Sequence, residues 1–105
     1  MADQVRRALR VVFAKKNQMK FISHLDLVRV FQRAARRAEI PLRISQGFSP
    51  RPKISFKRAL KLGLESEAEE AVFHLRGEIS KEDFEKRLQA QLPEGIVINN
   101  TEEIN

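Results

Sequence analysis

The apolar residues of the chain lie in short blocks whose spacing alternates between that of a strand and that of a helix. The segment "RALRVVFAKK" is centred on Val11, Val12 and Phe13, and such β-branched and aromatic residues predict a first strand over Ala8–Lys15. The polar segment "KNQMK" follows it. We therefore expect the chain to leave this strand through a polar turn.

A helix is predicted over His24–Ala38. Ser23 can cap its first turn, and Asp26 three residues later completes a near capping box and suits the helix dipole. Pro41 ends it, because proline lacks an amide hydrogen and disfavours helical geometry in the residue before it. The apolar side of this helix recurs at spacings of three and four, through Leu27, Phe31, Ala34, Ala35 and Ala38.

The remaining chain predicts more strands and a second helix. "LRIS" and "KISFKRA" predict two short strands, and the loop "SQGFSPRP" between them favours a hairpin with a wide tip. "EAEEAVFHLRG" predicts another strand, although its acidic start is also compatible with a helix. The second helix begins at Ser80, where Asp83 repeats the capping pattern, and "IVINNTEEI" predicts the last strand. The apolar stripe of this helix is Phe84, Leu88 and Leu92.

These elements predict an α+β fold of the ferredoxin-like type. When the two pieces that flank the loop are counted as one elaborated central hairpin, the order becomes βαββαβ, an antiparallel sheet with two helices on one face. With 105 residues, we expect a single domain over residues 1–105.

The net charge of +6 conceals an uneven distribution along the chain. Residues 1–61 carry 16 Lys and Arg against 3 Asp and Glu, a net of +13, whereas residues 62–105 carry 4 against 11, a net of −7. This asymmetry predicts a surface that attracts a polyanion. A soluble, dipolar surface without a charged ligand is the alternative interpretation.

Two basic segments are candidate nucleic-acid contacts. On the first helix, Arg29, Arg33, Arg36 and Arg37 share the side opposite the apolar stripe, where guanidinium forks could meet phosphates or simply be solvated. In the loop, a glycine allows unusual backbone geometry and two prolines restrict the chain, while its phenylalanine can stack on a base or plug into the core. The candidates in and around the loop are Arg43, Gly47, Phe48, Arg51 and Lys53.

Little in the sequence predicts catalysis or a cofactor. The absence of cysteine excludes thiolate nucleophiles and iron–sulfur ligation by this chain, and two histidines make a histidine metal site improbable. His24 could act as a general base or contact a phosphate, but it has no evident catalytic partner, and His74 is a weaker candidate still. We therefore expect no metal and no cofactor, and a non-catalytic protein.

The hydropathy pattern contains no apolar run near the roughly 20 residues that cross a bilayer, and the first ten residues contain no apolar stretch typical of a secretory signal. We therefore expect a cytoplasmic protein without membrane contact.

The stretch "FISHLDLVRVFQRAARRAEIPLRISQGFSPRPKISF" resembles the radical-SAM-linked domain family, a bacterial family of unknown function. The segment "LGLESEAEEAVFHL" extends the resemblance over nearly all of the chain, although Arg51 replaces a histidine that many members have between the two prolines. The matching positions are Phe21, Ser23, His24, Leu25, Asp26, Leu27, Ser45, Gln46, Gly47, Phe48, Pro50, Pro52, Lys53, Ile54, Ser55 and Phe56.

The residues and the resemblance together leave three functional hypotheses. Members are often fused to radical SAM proteins or encoded near an RNase of the E/G type and a ribosomal protein, which implies a non-catalytic RNA-binding module linked to RNA or ribosome maturation. A domain that docks onto a radical SAM enzyme, or presents its substrate, is the second hypothesis, and an endoribonuclease using His24 is the third. Because members are commonly longer, we expect this chain to be the N-terminal part of such a domain.

Overall fold

The computed structural model describes residues 7–57 and 66–104, and within these ranges the chain forms two α-helices and a four-stranded antiparallel sheet. The strand order is β2-β3-β1-β4, so the predicted α+β, βαββαβ arrangement is confirmed. The elements are β1 (Arg7–Lys15), a 3₁₀ helix (Asn17–Phe21), α1 (His24–Arg37), β2 (Ile54–Phe56), β3 (Ser66–Leu75), α2 (Lys81–Gln91) and β4 (Ile96–Ile104).

Both α-helices begin at the serines that the sequence predicts as caps. The Ser23 hydroxyl accepts a hydrogen bond from the amide of Asp26 at 3.1 Å, and the Ser80 hydroxyl accepts one from the amide of Asp83 at 3.0 Å. Each bond satisfies an amide that has no partner inside the helix. The acidic residues in both first turns also suit the positive end of the helix dipole.

The end of α1 is fixed by its own backbone and by α2. Glu39 adopts a left-handed conformation with φ of 56°, and the Ile40 amide donates to the carbonyl of Ala35, as in a Schellman motif. The guanidinium of Arg87 on α2 donates to the carbonyl of Ala38 at 2.6 Å. This bond joins the two helices at the point where α1 must stop.

The core lies between the helices and one face of the sheet, and phenylalanines dominate its centre. The ring of Phe31 on α1 lies 4.9 Å from that of Phe13, 5.6 Å from Phe56 and 6.0 Å from Phe73. Phe73 in turn contacts Phe84 of α2 at 5.2 Å. Full burial of one such ring contributes about 1.5–3 kcal/mol, so this cluster is a main source of stability.

The structure differs from the prediction mainly around β2. "LRIS" forms isolated bridges, Leu42 with Leu75 and Ile44 with Pro52, instead of a continuous strand. "KISFKRA" supplies only Ile54–Phe56, and its last residues, 58 and 59, lie outside the described ranges. Residues 66–75 are a strand, which decides against the helical alternative, and Leu92 caps α2 instead of continuing it.

The face of the sheet that points away from the core is here called the open face, because both described helices pack on the other face. The open face carries the residues that alternate with the core positions, and its centre pairs Arg10 with Glu102 at 2.6 Å. Val12 and Val72, also on this face, are only partly buried. No helix in the described ranges is long and apolar enough to cross a membrane.

Candidate functional site

The outer loop, residues 45–51, interrupts the sheet edge at one position. The Arg43 amide donates to the carbonyl of His74 at 2.8 Å, and the His74 amide donates to the carbonyl of Lys53 at 3.2 Å. The Lys53 amide also donates to the carbonyl of Arg43 at 2.7 Å. The chain therefore leaves the sheet edge beside His74 and returns to the same residue, so the outer loop projects from the sheet and is closed at its base.

The neck of the outer loop is held by short backbone bonds. The Ser45 amide donates to the carbonyl of Arg51 at 2.8 Å, and the Ser45 hydroxyl accepts from the Arg51 amide at 3.1 Å. Ile44 and Pro52 form a bridge just below them. Because both strands of the neck are fixed, the tip is presented in a limited set of orientations.

The tip of the outer loop exposes an aromatic ring. Gly47 has φ of +132°, which side chains rarely permit, and a Cβ built there would meet no atom within 4 Å. Phe48 beside it is fully exposed, with a relative accessibility of 108%. Of the two orientations that the sequence left open for Phe48, the structure shows the outward one.

Because the chain returns to the sheet edge at the residue where it left, two cationic side chains lie side by side on the open face. Arg43 and Lys53 both lie opposite His74, and opposite residues of an antiparallel sheet carry their side chains on the same face. They border a shallow depression of about 290 Å³ whose floor includes Ala8 and Ile104. Within the described ranges neither cation has an ion-pair partner, whereas their neighbours on this face do.

His74 is the residue of this surface that sequence reasoning undervalued. Its Nε2 forms a 3.1 Å hydrogen bond with the hydroxyl of Ser55. Burial lowers the pKa of His74 below its ordinary value, and the nearby charges of Lys53 and Arg43 lower it further. The available signal was the alternation along β3, which puts residue 74 on the face opposite Phe73. We call Arg43, Lys53, Ser55 and His74 the open-face cluster.

The arginines of α1 form a separate surface. Arg29, Arg33, Arg36 and Arg37 are all exposed on the helix side turned away from the sheet. Arg33 and Arg37 border a groove of about 280 Å³ toward the end of α2. The helix layer and the sheet thus lie between these arginines and the open-face cluster, so the predicted site residues fall on two surfaces of the molecule.

His24 occupies a packed position at the start of α1. Its ring lies 5.5 Å from that of Phe56 at an angle of 83°, an edge-to-face contact at the margin of the core. Its Nδ1 is buried and has no hydrogen-bond partner in the described part of the chain. Phe56 faces the helices, so His24 and the open-face cluster lie on opposite sides of the sheet.

The donor set gives no indication of a metal centre. Among the described residues there is no group of three or more His, Cys, Asp or Glu side chains that could hold a metal ion. Arg43 and Lys53 carry positive charge and donate hydrogen bonds, so this surface is chemically suited to an anion.

The fold is that of an α+β domain of the ferredoxin-like kind, with a loop that carries basic residues at the edge of its sheet. Residues 8–105 match the model of a family described as "Uncharacterized protein conserved in bacteria (DUF2344)". The chain belongs to this family. Comparison with curated proteins and with solved structures gives no match.

Proposed function

We propose that this protein is a non-catalytic RNA-binding module that holds single-stranded RNA on the outer loop and the open-face cluster. The observation that carries the proposal is the full exposure of Phe48 on a loop whose two ends place Arg43 and Lys53 together. Single strands are bound by this combination, in which basic groups follow the backbone and an aromatic ring stacks on a base.

The energetics favour a ligand at the loop tip. A phenylalanine exposed to water contributes nothing to folding by burial, and the bonded neck reduces the entropy lost when the ring stacks on a base. Base stacking on such a ring contributes about 1–3 kcal/mol. Arg43 and Lys53 are unpaired within the described ranges, so a phosphate would not have to displace a carboxylate there.

The arginines of α1 have a different part in this proposal. They carry charge without an aromatic ring, a combination that suits sequence-independent contact with phosphates. Together with the net charge of +13 over residues 1–61, they attract RNA toward the molecule and raise the association rate. In this proposal, the direct contacts that retain the strand are those of the outer loop and the open-face cluster.

The test measures the anisotropy of a fluorescein-labelled oligouridylate at about 50 and about 200 mM salt. Phe48→Ala should weaken binding by about 5- to 150-fold, the equivalent of the stacking energy of one base. Phe21→Ala is the matched control, because Phe21 is also exposed, at 58%, but precedes α1. A wild-type protein that binds no RNA at the lower salt, or equal losses in both variants, would contradict the proposal.

A second candidate function is docking onto a radical SAM protein in the cytoplasm, as the family resemblance implies. Phe21 and Leu25 favour it, because they expose apolar surface, at 58% and 56%, around the start of α1. The start of α1 packs beside Phe56, the last residue of β2, whereas the outer loop precedes Ile54, the first residue of β2. The two exposed apolar residues and the outer loop therefore lie toward opposite ends of this strand. Co-purification of the two proteins that is lost in a Phe21→Ser, Leu25→Ser variant and retained in Phe48→Ala would support docking.

A further inference from the structure

We infer that His74 is a direct phosphate contact of the open-face cluster, so that the RNA strand is bound together with one proton. The inference rests on the proposed function and adds a residue and a proton to it. His74 lies at the centre of the surface, opposite both Arg43 and Lys53 across the strand edge. A phosphate held between the two cations would lie over its imidazole.

The hydrogen bonding of His74 leaves one ring nitrogen for a ligand. Nε2 is bonded to the Ser55 hydroxyl, and Nδ1 has no hydrogen-bond partner in the described part of the chain. The side chain is partly accessible from the depression that Ala8, Val72 and Ile104 also border. When the imidazole is protonated both nitrogens donate, so Ser55 can accept from Nε2 while Nδ1 donates to a phosphate oxygen.

The charges that surround His74 are mostly positive. Arg43 and Lys53 face it from the β2 edge, and Arg7 of β1 borders the same depression. The nearest acidic groups on this face have partners already, since Glu102 of β4 pairs with Arg10 at 2.6 Å and Glu70 of β3 pairs with Lys57 at 3.6 Å. Arg7 pairs with Glu103 at 2.7 Å. No described carboxylate therefore bonds to the imidazole and stabilises its charged form.

This environment couples protonation to binding. In the free protein, burial and the two cations lower the pKa of His74, so the ring is neutral near pH 7. A bound phosphate offsets the repulsion from both cations and adds a hydrogen bond to the charged ring, which raises that pKa. By linkage, a group that gains a proton on binding makes the affinity rise as pH falls, by at most about tenfold per pH unit.

The experiment measures the affinity of an oligouridylate, carrying a label that does not titrate in this range, between pH about 7.5 and about 5.5 at constant ionic strength, the range in which histidine titrates. Uracil and the phosphodiester do not change charge in this range. We expect the wild-type affinity to rise at least about fivefold toward the acidic end. His74→Gln should remove most of this rise, so its loss of affinity relative to wild type should be largest at the acidic end.

His24→Gln is the matched control, because it replaces the other histidine of the chain and lies on the opposite face. It should keep the pH dependence of the wild type. A pH dependence that survives in His74→Gln, or one that is lost in His24→Gln instead, would overturn the inference. RNA binding that does not change with pH would also overturn it and leave the proposed function standing, whereas no binding at any pH would contradict both.

A second measurement uses only the wild-type protein, so its result does not depend on whether a variant folds. The imidazole carbon-bound protons of the two histidines can be followed by NMR in the wild-type protein with and without oligouridylate. Saturation with RNA should raise the pKa of His74 by at least about 0.7 units, the shift that a fivefold rise in affinity requires. The imidazole signals of His24 should not respond to the RNA. An unchanged titration of His74 in the RNA-bound protein would contradict a direct contact.

Discussion

The two faces of the sheet use their side chains differently. The helix-covered face packs Phe13, Phe56 and Phe73 against Phe31, so the contacts at its centre are apolar. The open face carries ion pairs at its centre and, at one edge, cations that the described residues leave unpaired. Substitutions on the first face should therefore reduce the free energy of unfolding, and substitutions at the edge of the second should reduce binding with little change in stability.

The largest effect is expected at the centre of the helix-covered face. Phe31→Ala removes the ring that contacts three other phenylalanines and should destabilise the protein by about 3–5 kcal/mol, through lost burial and the cavity left behind. Urea denaturation followed by circular dichroism measures this. A loss below about 1 kcal/mol would mean that the aromatic cluster is not the main source of stability.

Two glycines with positive φ lie in different surroundings, one in a tightly packed turn and the other in the outer loop. A Cβ at Gly95 would meet the carbonyl oxygen of Lys16 at 2.6 Å, so Gly95→Ala should destabilise the protein by about 3 kcal/mol. A Cβ at Gly47 would meet nothing within 4 Å, so Gly47→Ala should cost at most about 1 kcal/mol, as strain in the loop. Thermal denaturation of both variants checks this, and equal losses would contradict the distinction.

Removing charges from the two basic surfaces compares them directly. Arg43→Ala with Lys53→Ala should weaken oligouridylate binding at least tenfold and reduce the slope of log K against log salt by about 1.4, the value for two single-strand phosphate contacts. Arg33→Ala with Arg36→Ala removes the same charge from α1 and should weaken binding by less than about threefold. A larger loss from the α1 pair would place the interface on the helix surface.

The smallest effect concerns the pH dependence of stability. Since the folded protein lowers the pKa of His74, the unfolded chain binds that proton more tightly, and stability should decline as pH falls through the ordinary histidine range near 6.5. His74→Gln should reduce this decline. The pKa of Glu103 is lowered by its bond to Arg7, so its contribution is lost only at more acidic pH and in both proteins. Identical pH profiles of the urea midpoint would contradict this.

The sequence predicts the helices and the fold class well because their signals are local. The capping pairs Ser23 with Asp26 and Ser80 with Asp83, and the apolar stripe through Phe31, depend on residues a few positions apart. The strand order then follows from the βαββαβ pattern and the short connections.

The site could be predicted only in part, because its arrangement depends on contacts distant in sequence. The composition of the loop identified Phe48, Arg51 and Lys53 as candidates, but nothing local shows that Arg43 and Lys53 return to the same residue of β3. His74 was undervalued for the same reason, since the hydrogen bond to Ser55 and the two cations beside it exist only in the folded sheet. The outward orientation of Phe48 is likewise a property of the closed neck.

The most direct test of the RNA interface maps it on the wild-type protein. Amide chemical shifts are recorded by NMR while unlabelled oligouridylate is added to isotope-labelled protein. We predict that the largest changes fall on residues 43–53 and on His74, with small changes along α1. Shifts concentrated on Arg29, Arg33, Arg36 and Arg37, or no shifts at saturating RNA, would contradict it.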